Sequence, residues 1–294
     1  MKQVDIVIMG CGFTGSRVAS RLLSAGARVL VTVRSPENAA ALKRQGAEVF
    51  AWDAANPQPL PIPEGSTLLH SVPSLKVSSQ PTDPTPALLA ALRGTPSRIV
   101  YLSTTGVYGS VRDVDHHTPA NPQTSREQVR VDAETAVAAG PWSSLILRPA
   151  AIYGLGRGIH VSMARGEYKL VGGGRNFVSR IHVDDLASQV EASLLSGVTG
   201  AYPVADEHPC CAWEISEFCS QLLHVPMPGT VGAEDVHDTR RADRRVDGSE
   251  IRRLLGVPLR FPSYHSGIPA SLLHSNEHSN EHSDARQPAP DRQQ

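Results

Sequence analysis

The sequence predicts an α/β protein, a doubly wound parallel sheet with a smaller C-terminal lobe, and three observations predict it. Short runs rich in Val, Ile and Leu alternate with stretches whose apolar residues recur at helical spacing. Glycine, or a capping residue beside proline, punctuates the junctions. The alternation holds from Val4 to Arg148 and weakens past Gly154. Strands joined by helical crossovers pair in parallel and are covered on both faces, so they read as unbroken apolar runs.

Val4–Met9 is the first such run, ending at glycine. Ser16–Ala25 then places Val18, Ala19, Leu22 and Leu23 on one helical face, and Gly26 supplies the left-handed residue that closes a helix. Arg28–Val33 is the second strand; Ser35-Pro36 supplies a cap and a first-turn proline for a helix to Gln45. Ala47–Ala51 and Thr67–Ser71 read as strands, Ala87–Arg93 as a helix, Arg98–Thr104 as a β-branched strand, Ser125–Ala139 as a helix and Ser144–Arg148 as a strand. Further on, Asp184 or Asp185 is positioned to cap a helix through Ser193. The pattern divides the chain into a nucleotide-binding domain over 1–155 and 181–205 and a substrate lobe over 156–180 and 206–270. From Ser271 to the end, the His-, Ser-, Asn- and Glu-rich composition predicts a disordered tail over 271–294.

Composition narrows the function. A net charge of −1 over 294 residues offers no electrostatic ground for a nucleic-acid partner. The cluster Arg240, Arg241, Arg244 and Arg245 is interrupted by Asp243 and reads as a solvated face. No apolar run is long enough to cross a membrane, and Met1–Asp5 does not begin a cleavable leader, so a cytoplasmic location and no membrane partner are expected. The four cysteines, Cys11, Cys210, Cys211 and Cys219, have neither Cys-x-x-Cys nor zinc-ligand spacing, and no metal site is expected.

Gly10-Cys11-Gly12-Phe13-Thr14-Gly15 is a G-x-G-x-x-G between the first strand and the first helix. Chemistry explains the pattern: glycines make a tight turn, admit a pyrophosphate against the backbone, and let helix and sheet approach. The pyrophosphate then rests on a helix N-terminus whose amides are unpaired. The motif in this context predicts a Rossmann-type dinucleotide site with Gly10, Gly12, Phe13, Thr14 and Gly15 at its centre. Where an acidic reader of the ribose 2′-hydroxyl usually ends the second strand, this sequence has Arg34 and then Ser35. A guanidinium pairs well with a 2′-phosphate, so NADP(H) is expected over NAD(H). Asp53 is placed to contact the adenine edge, or else to cap a turn.

Further motifs carry a resemblance. Ser103-Thr104-Thr105-Gly106-Val107-Tyr108-Gly109, Leu147-Arg148-Pro149-Ala150-Ala151-Ile152-Tyr153-Gly154 and Arg180-Ile181-His182-Val183-Asp184-Asp185-Leu186-Ala187 follow the glycine motif in order. Together they resemble the extended and atypical short-chain dehydrogenase/reductases, the NAD-dependent epimerase/dehydratase family, over Val4 to about Leu259. The glycine turn has the shorter spacing of atypical members, with Met9 where extended members place a first glycine. The resemblance implies that Thr104 lies beside the nicotinamide, that the substrate is a small molecule, and that two copies pair through the helix around Ser125–Ala139. It also implies a Tyr-x-x-x-Lys, and there this chain departs: Arg126 and Arg130 hold those two positions.

Arginine does not release its proton in a protein, so neither can act as the general base. The catalytic set expected is Thr104 to orient a substrate oxygen, Arg130 to supply positive charge, and Tyr108 as a substitute proton donor, with Tyr153 and His182 as further candidates. Two functions fit these residues: an NADP(H)-dependent oxidoreductase or epimerase-like enzyme acting on a small carbonyl or hydroxyl compound, sugar-derived compounds included, and a non-catalytic dinucleotide-binding sensor or scaffold.

Overall fold

The computed structural model describes residues 5–35, 39–77, 80–232, 234 and 242–283, with the side chains of 77 and 274–283 left aside. Pro36, Arg240 and Arg241 therefore lie outside the described residues, as do Met1–Val4 and 284–294.

Seven parallel strands form one sheet: β1 (Asp5–Met9), β2 (Arg28–Val33), β3 (Glu48–Ala51), β4 (Thr67–His70), β5 (Arg98–Leu102), β6 (Ser143–Pro149) and β7 (Gly200–Val204). Their spatial order is β7-β6-β5-β4-β1-β2-β3, so the winding reverses between β1 and β4. β1 is a central strand, buried from Ile6 to Met9. Its alternate residues divide between two cores. Ile6 and Ile8 join Val18, Leu22, Leu186 and Val190 from α1 (Phe13–Ser24) and from the helix Val183–Leu195. Val7 and Met9 join Leu88, Ala133 and Val137 from helices on the opposite face. This two-faced burial is the doubly wound architecture that the apolar runs predict.

The intervening helices are α2 (Ala40–Arg44), α3 (Thr85–Ala91) and α4 (Ser125–Ala138). Pro86 sits in the first turn of α3, where a missing N–H costs nothing, and Leu92 and Arg93 turn extended to pair with Leu60 and Pro61. That shifts the helix two residues earlier than its sequence pattern indicates. α4 begins with a full capping box: Thr124 accepts from the Glu127 amide, and the Glu127 carboxylate accepts from the Thr124 amide. Its inward residues are Arg130, Ala133, Glu134 and Val137. Two charged side chains thus occupy core positions.

The lobe beyond β6 comprises α5 (Ile159–Ala164), α6 (Val183–Leu195), which returns to the sheet, α7 (Ala212–Leu223), α8 (Ser249–Leu255) and α9 (Tyr264–Ser283). Tyr153, Met163, Ile215, Cys219, Tyr264 and Ile268 form its separate apolar cluster. Two expectations need correction here. His182, not Asp184 or Asp185, caps α6: its Nδ1 accepts the Asp184 N–H at 3.2 Å, and the two aspartates fall in the first turn, where they face the positive end of the helix. The segment 271–283, expected to be disordered tail, continues α9 as helix. Tyr264 and Ile268 anchor that helix in the lobe core, and buried Ser271 meets His182 Nε2 at 3.1 Å, so helix propagates from a packed nucleus that composition does not reveal.

Candidate functional site

The carboxyl ends of β1 and β4 face the crevice where the winding reverses, the place where sheets of this kind receive ligands. Gly10 leaves β1 with φ +85°, and its amide donates to Thr32 Oγ1 at 3.0 Å. A Cβ on Gly10 would stand 2.8 Å from the Val72 nitrogen, and one on Gly15 would stand 2.9 Å from the Gly10 carbonyl oxygen. Both positions need glycine because backbone closes on them. Gly12 differs: nothing lies within 4 Å of the Cβ it lacks. The loop is therefore tight behind and open in front.

α1 starts at Phe13, and its first helical acceptor bond runs from Ser16 N–H to the Gly12 carbonyl at 2.9 Å. The amides of Phe13, Thr14 and Gly15 precede that bond and have no carbonyl partner in the helix. No acidic residue stands in the first turn to take up the positive end. These features fit a diphosphate: close backbone approach, open ground at Gly12 and amides without a helical acceptor.

Around the loop, Arg34 follows β2 and is exposed, with half-buried Ser35 beside it. Asp53 Oδ1 accepts the Ala55 amide at 3.0 Å, so of the two roles open to this residue the structure shows the turn cap. Cys11 is half-buried, and burial pushes its thiol up to about 12, an inert thiol at neutral pH.

Thr104 follows β5. Its Oγ1 accepts the Gly106 amide at 3.1 Å, which caps a short 3₁₀ turn over Thr105–Tyr108 and leaves the hydroxyl proton to donate elsewhere. The other expected catalytic groups stand differently. Tyr108 is fully buried, and its OH accepts from Arg148 Nη1 at 3.2 Å; burial raises its pKa. Arg148 also pairs with Glu134 at 2.7 Å, and Glu134 accepts the Ser103 hydroxyl at 2.5 Å. Tyr108 belongs to this interior network, fully buried, whereas its expected role as a proton donor calls for an OH open to the crevice. Tyr153 and His182 are likewise enclosed. The Tyr153 OH donates to the Ser263 carbonyl at 3.3 Å, while His182 bridges the α6 cap and Ser271 and burial lowers it to about 4.

Arg130 is 7% exposed and does not point its charge into the crevice. Nη1 donates to Asp83 Oδ2 at 2.7 Å and Nη2 to the Leu102 carbonyl at 2.9 Å. Beyond Asp83 the polar chain continues. Thr85 donates its hydroxyl to Asp83 Oδ1, His70 Nε2 meets Thr85 Oγ1 at 2.8 Å, and His70 Nδ1 accepts the Val72 amide at 3.3 Å. The Val72 amide fixes the imidazole with its proton on Nε2, and burial lowers its pKa to about 3. A buried bridge therefore runs from the wall behind Gly10 to the strand end before Thr104. His70, Asp83, Thr85 and Glu134 are not among the residues expected from sequence; the available signal was Arg130 and Glu134 sharing the apolar face of α4.

Comparisons with known proteins agree with this fold. A family model described as the TrkA-N domain matches residues 6–61, the segment that includes β1, α1 and β2. A functionally unknown conserved protein from Silicibacter pomeroyi is 30% identical in sequence, with a TM-score of 0.77 over 92% of this chain and 99% of that one. A UDP-glucuronic acid 4-epimerase from Bacillus cereus, solved with UDP-glucuronic acid and NAD, has a TM-score of 0.75 at 15% identity, covering 93% of this chain and 99% of its own. An ADP-L-glycero-D-manno-heptose-6-epimerase from Helicobacter pylori has a TM-score of 0.73 at 17% identity, covering 94% and 97%. A 3-diazoavenalumate denitrifying reductase from a Streptomyces species is 30% identical over 152 residues, 47% of this chain. The match spans half the length of that reductase.

Proposed function

We propose, from the premise that the chain belongs with the Silicibacter pomeroyi protein to the short-chain dehydrogenase/reductases of the NAD-dependent epimerase/dehydratase type, that it is an NADP(H)-dependent oxidoreductase or epimerase-like enzyme acting on a small carbonyl or hydroxyl compound. The observation that carries the reading is the loop Gly10–Gly15, closed behind by backbone and open at Gly12 before three amides with no carbonyl partner in the helix. NAD in the Bacillus cereus neighbour, and reduction in the name of the Streptomyces relative, support the cofactor class and the reaction class. Arg34, in place of an acidic residue, supports the phosphorylated form.

A nicotinamide bound here would supply or accept a hydride. The chain's own part is narrower. The amides of Phe13, Thr14 and Gly15 hold diphosphate oxygens, Arg34 and Ser35 meet the 2′-phosphate, and the Thr104 hydroxyl donates to the substrate oxygen. Because Arg126 and Arg130 replace the tyrosine and lysine, proton delivery falls to solvent, at a cost of about 10²- to 10⁴-fold in rate. Keto-sugars and other small carbonyl compounds are the substrate class to screen.

One observation favours a second reading, a dinucleotide-binding sensor. Tyr108, Tyr153, His182 and Arg130 are all committed to interior partners, so no titratable side chain among those expected stands ready at the crevice. Single-turnover oxidation of bound NADPH over a panel of aldehydes, ketones and keto-sugars separates the two. An enzyme consumes the cofactor with at least one of them; tight NADPH binding with no consumption supports the sensor.

A further inference from the structure

Phe13, the first residue of α1, carries a guanidinium on each of two approaches. Arg17 lies 4.3 Å from the ring centroid, and its Nη1 donates to the Phe13 carbonyl at 2.7 Å and its Nε to Asp184 at 3.2 Å. Arg157 lies 5.1 Å from the same centroid, is exposed, and has no acceptor for its guanidinium among the described residues. The two arginines are alike in their ring contact and opposite in their commitments.

Arg157 is not placed there by a free loop. Gly154 and Arg157 exchange backbone hydrogen bonds of 2.9 and 3.0 Å, which closes a tight turn. Gly154 has φ +158°, and a Cβ there would stand 2.6 Å from Val183 Cγ1 and 3.6 Å from Phe13 Cζ. The turn is thus seated against the start of α6 and the Phe13 ring. Stacking engages the face of a guanidinium and leaves the N–H donors at its edge able to form a fork. The surrounding charge is uncompensated: α1 has no acidic residue in its first turn, and Asp184 is already paired with Arg17.

We infer that Arg157 is a pyrophosphate-binding residue, held by the 154–158 turn across from the glycine loop so that its guanidinium clasps the diphosphate of a bound nicotinamide dinucleotide. This rests on the reading of Gly10–Gly15 as a dinucleotide site. The clasp joins the lobe beyond β6 to the cofactor loop, and it contacts the diphosphate common to NADPH and NADH, apart from the 2′-phosphate assigned to Arg34.

Titration calorimetry of the full chain with NADPH and with NADH tests it, using wild type and Arg157→Gln. Arg157→Gln weakens both nucleotides by the same factor, about tenfold for a lost charge-assisted bond, and lowers the salt dependence of binding, with an unchanged melting temperature. If wild type binds and Arg157→Gln binds both nucleotides equally well, the clasp is wrong and the dinucleotide reading stands. If only NADPH weakens, the guanidinium reads the 2′-phosphate, and the clasp is again overturned. If wild type binds neither nucleotide, the dinucleotide reading itself fails and takes the clasp with it.

Discussion

Arg130 and Asp83 form a 2.7 Å ion pair with side chains 8% and 3% exposed, at the base of the strand end that carries Thr104. Arginine at the expected lysine position has thereby become part of the frame. One donor holds Asp83 and another holds the Leu102 carbonyl, two residues before Thr104, so α4, the approach to α3 and β5 are tied at one point.

Removing one member of that pair should be costly, because it strands a buried charge. Arg130→Leu and Asp83→Leu are each expected to lower stability by about 3–5 kcal/mol in urea unfolding, and the double variant should recover much of the loss. Arg130→Lys should remain destabilised, since an ammonium lacks the planar fork that reaches both Asp83 and the Leu102 carbonyl. Additive single losses in the double variant would show that the two residues are not coupled.

Arg34→Asp should exchange the cofactor preference. Calorimetry should show wild type binding NADPH more tightly than NADH by about tenfold or more, and the variant reversing that order, because a carboxylate repels a 2′-phosphate and accepts from a 2′-hydroxyl. Equal affinities in wild type would remove Arg34 from the site.

Thr104→Ala should slow single-turnover oxidation of bound NADPH, in the presence of a reactive carbonyl, by about 10- to 100-fold while leaving NADPH affinity within a factor of two. Thr104→Ser should retain most of the rate, since it keeps the hydroxyl. An unchanged rate in Thr104→Ala would assign the residue to capping the 3₁₀ turn alone.

Asp206 sets a pH dependence of stability. Its Oδ1 accepts the His208 amide at 3.1 Å, its Oδ2 is buried without a partner among the described residues, and burial raises its pKa to about 7. Between about pH 4 and pH 7 the folded carboxyl keeps a proton that the unfolded one has lost, so this group's contribution falls as pH rises through that window and is flat above it. The full change is up to about 4 kcal/mol. Urea unfolding at pH 5 and pH 8 should therefore show Asp206→Asn gaining on wild type as pH rises. A constant difference between the two proteins would refute the buried proton.

The sequence by itself determined six of the seven strands, the doubly wound class and the glycine-rich loop between β1 and α1. Those features depend on local periodicity, and Gly10 and Gly15 are required by backbone close at hand, just past the end of β4 for Gly10 and in Gly10 itself for Gly15. The proposal that Arg126 and Arg130 stand where tyrosine and lysine are expected also comes from sequence alone, and an arginine offers no general base. Tertiary structure decided the rest. Whether Tyr108 and Arg130 face a substrate or the interior depends on Arg148, Glu134 and Asp83, which lie from 26 to 47 positions away in sequence and impose no period on their neighbours. The same holds for α9, where burial of Tyr264, Ile268 and Ser271 against the lobe stabilises a helix that a polar composition conceals. Helix and strand periods follow from short-range sterics, whereas the partners of a buried charge follow from how the chain closes on itself.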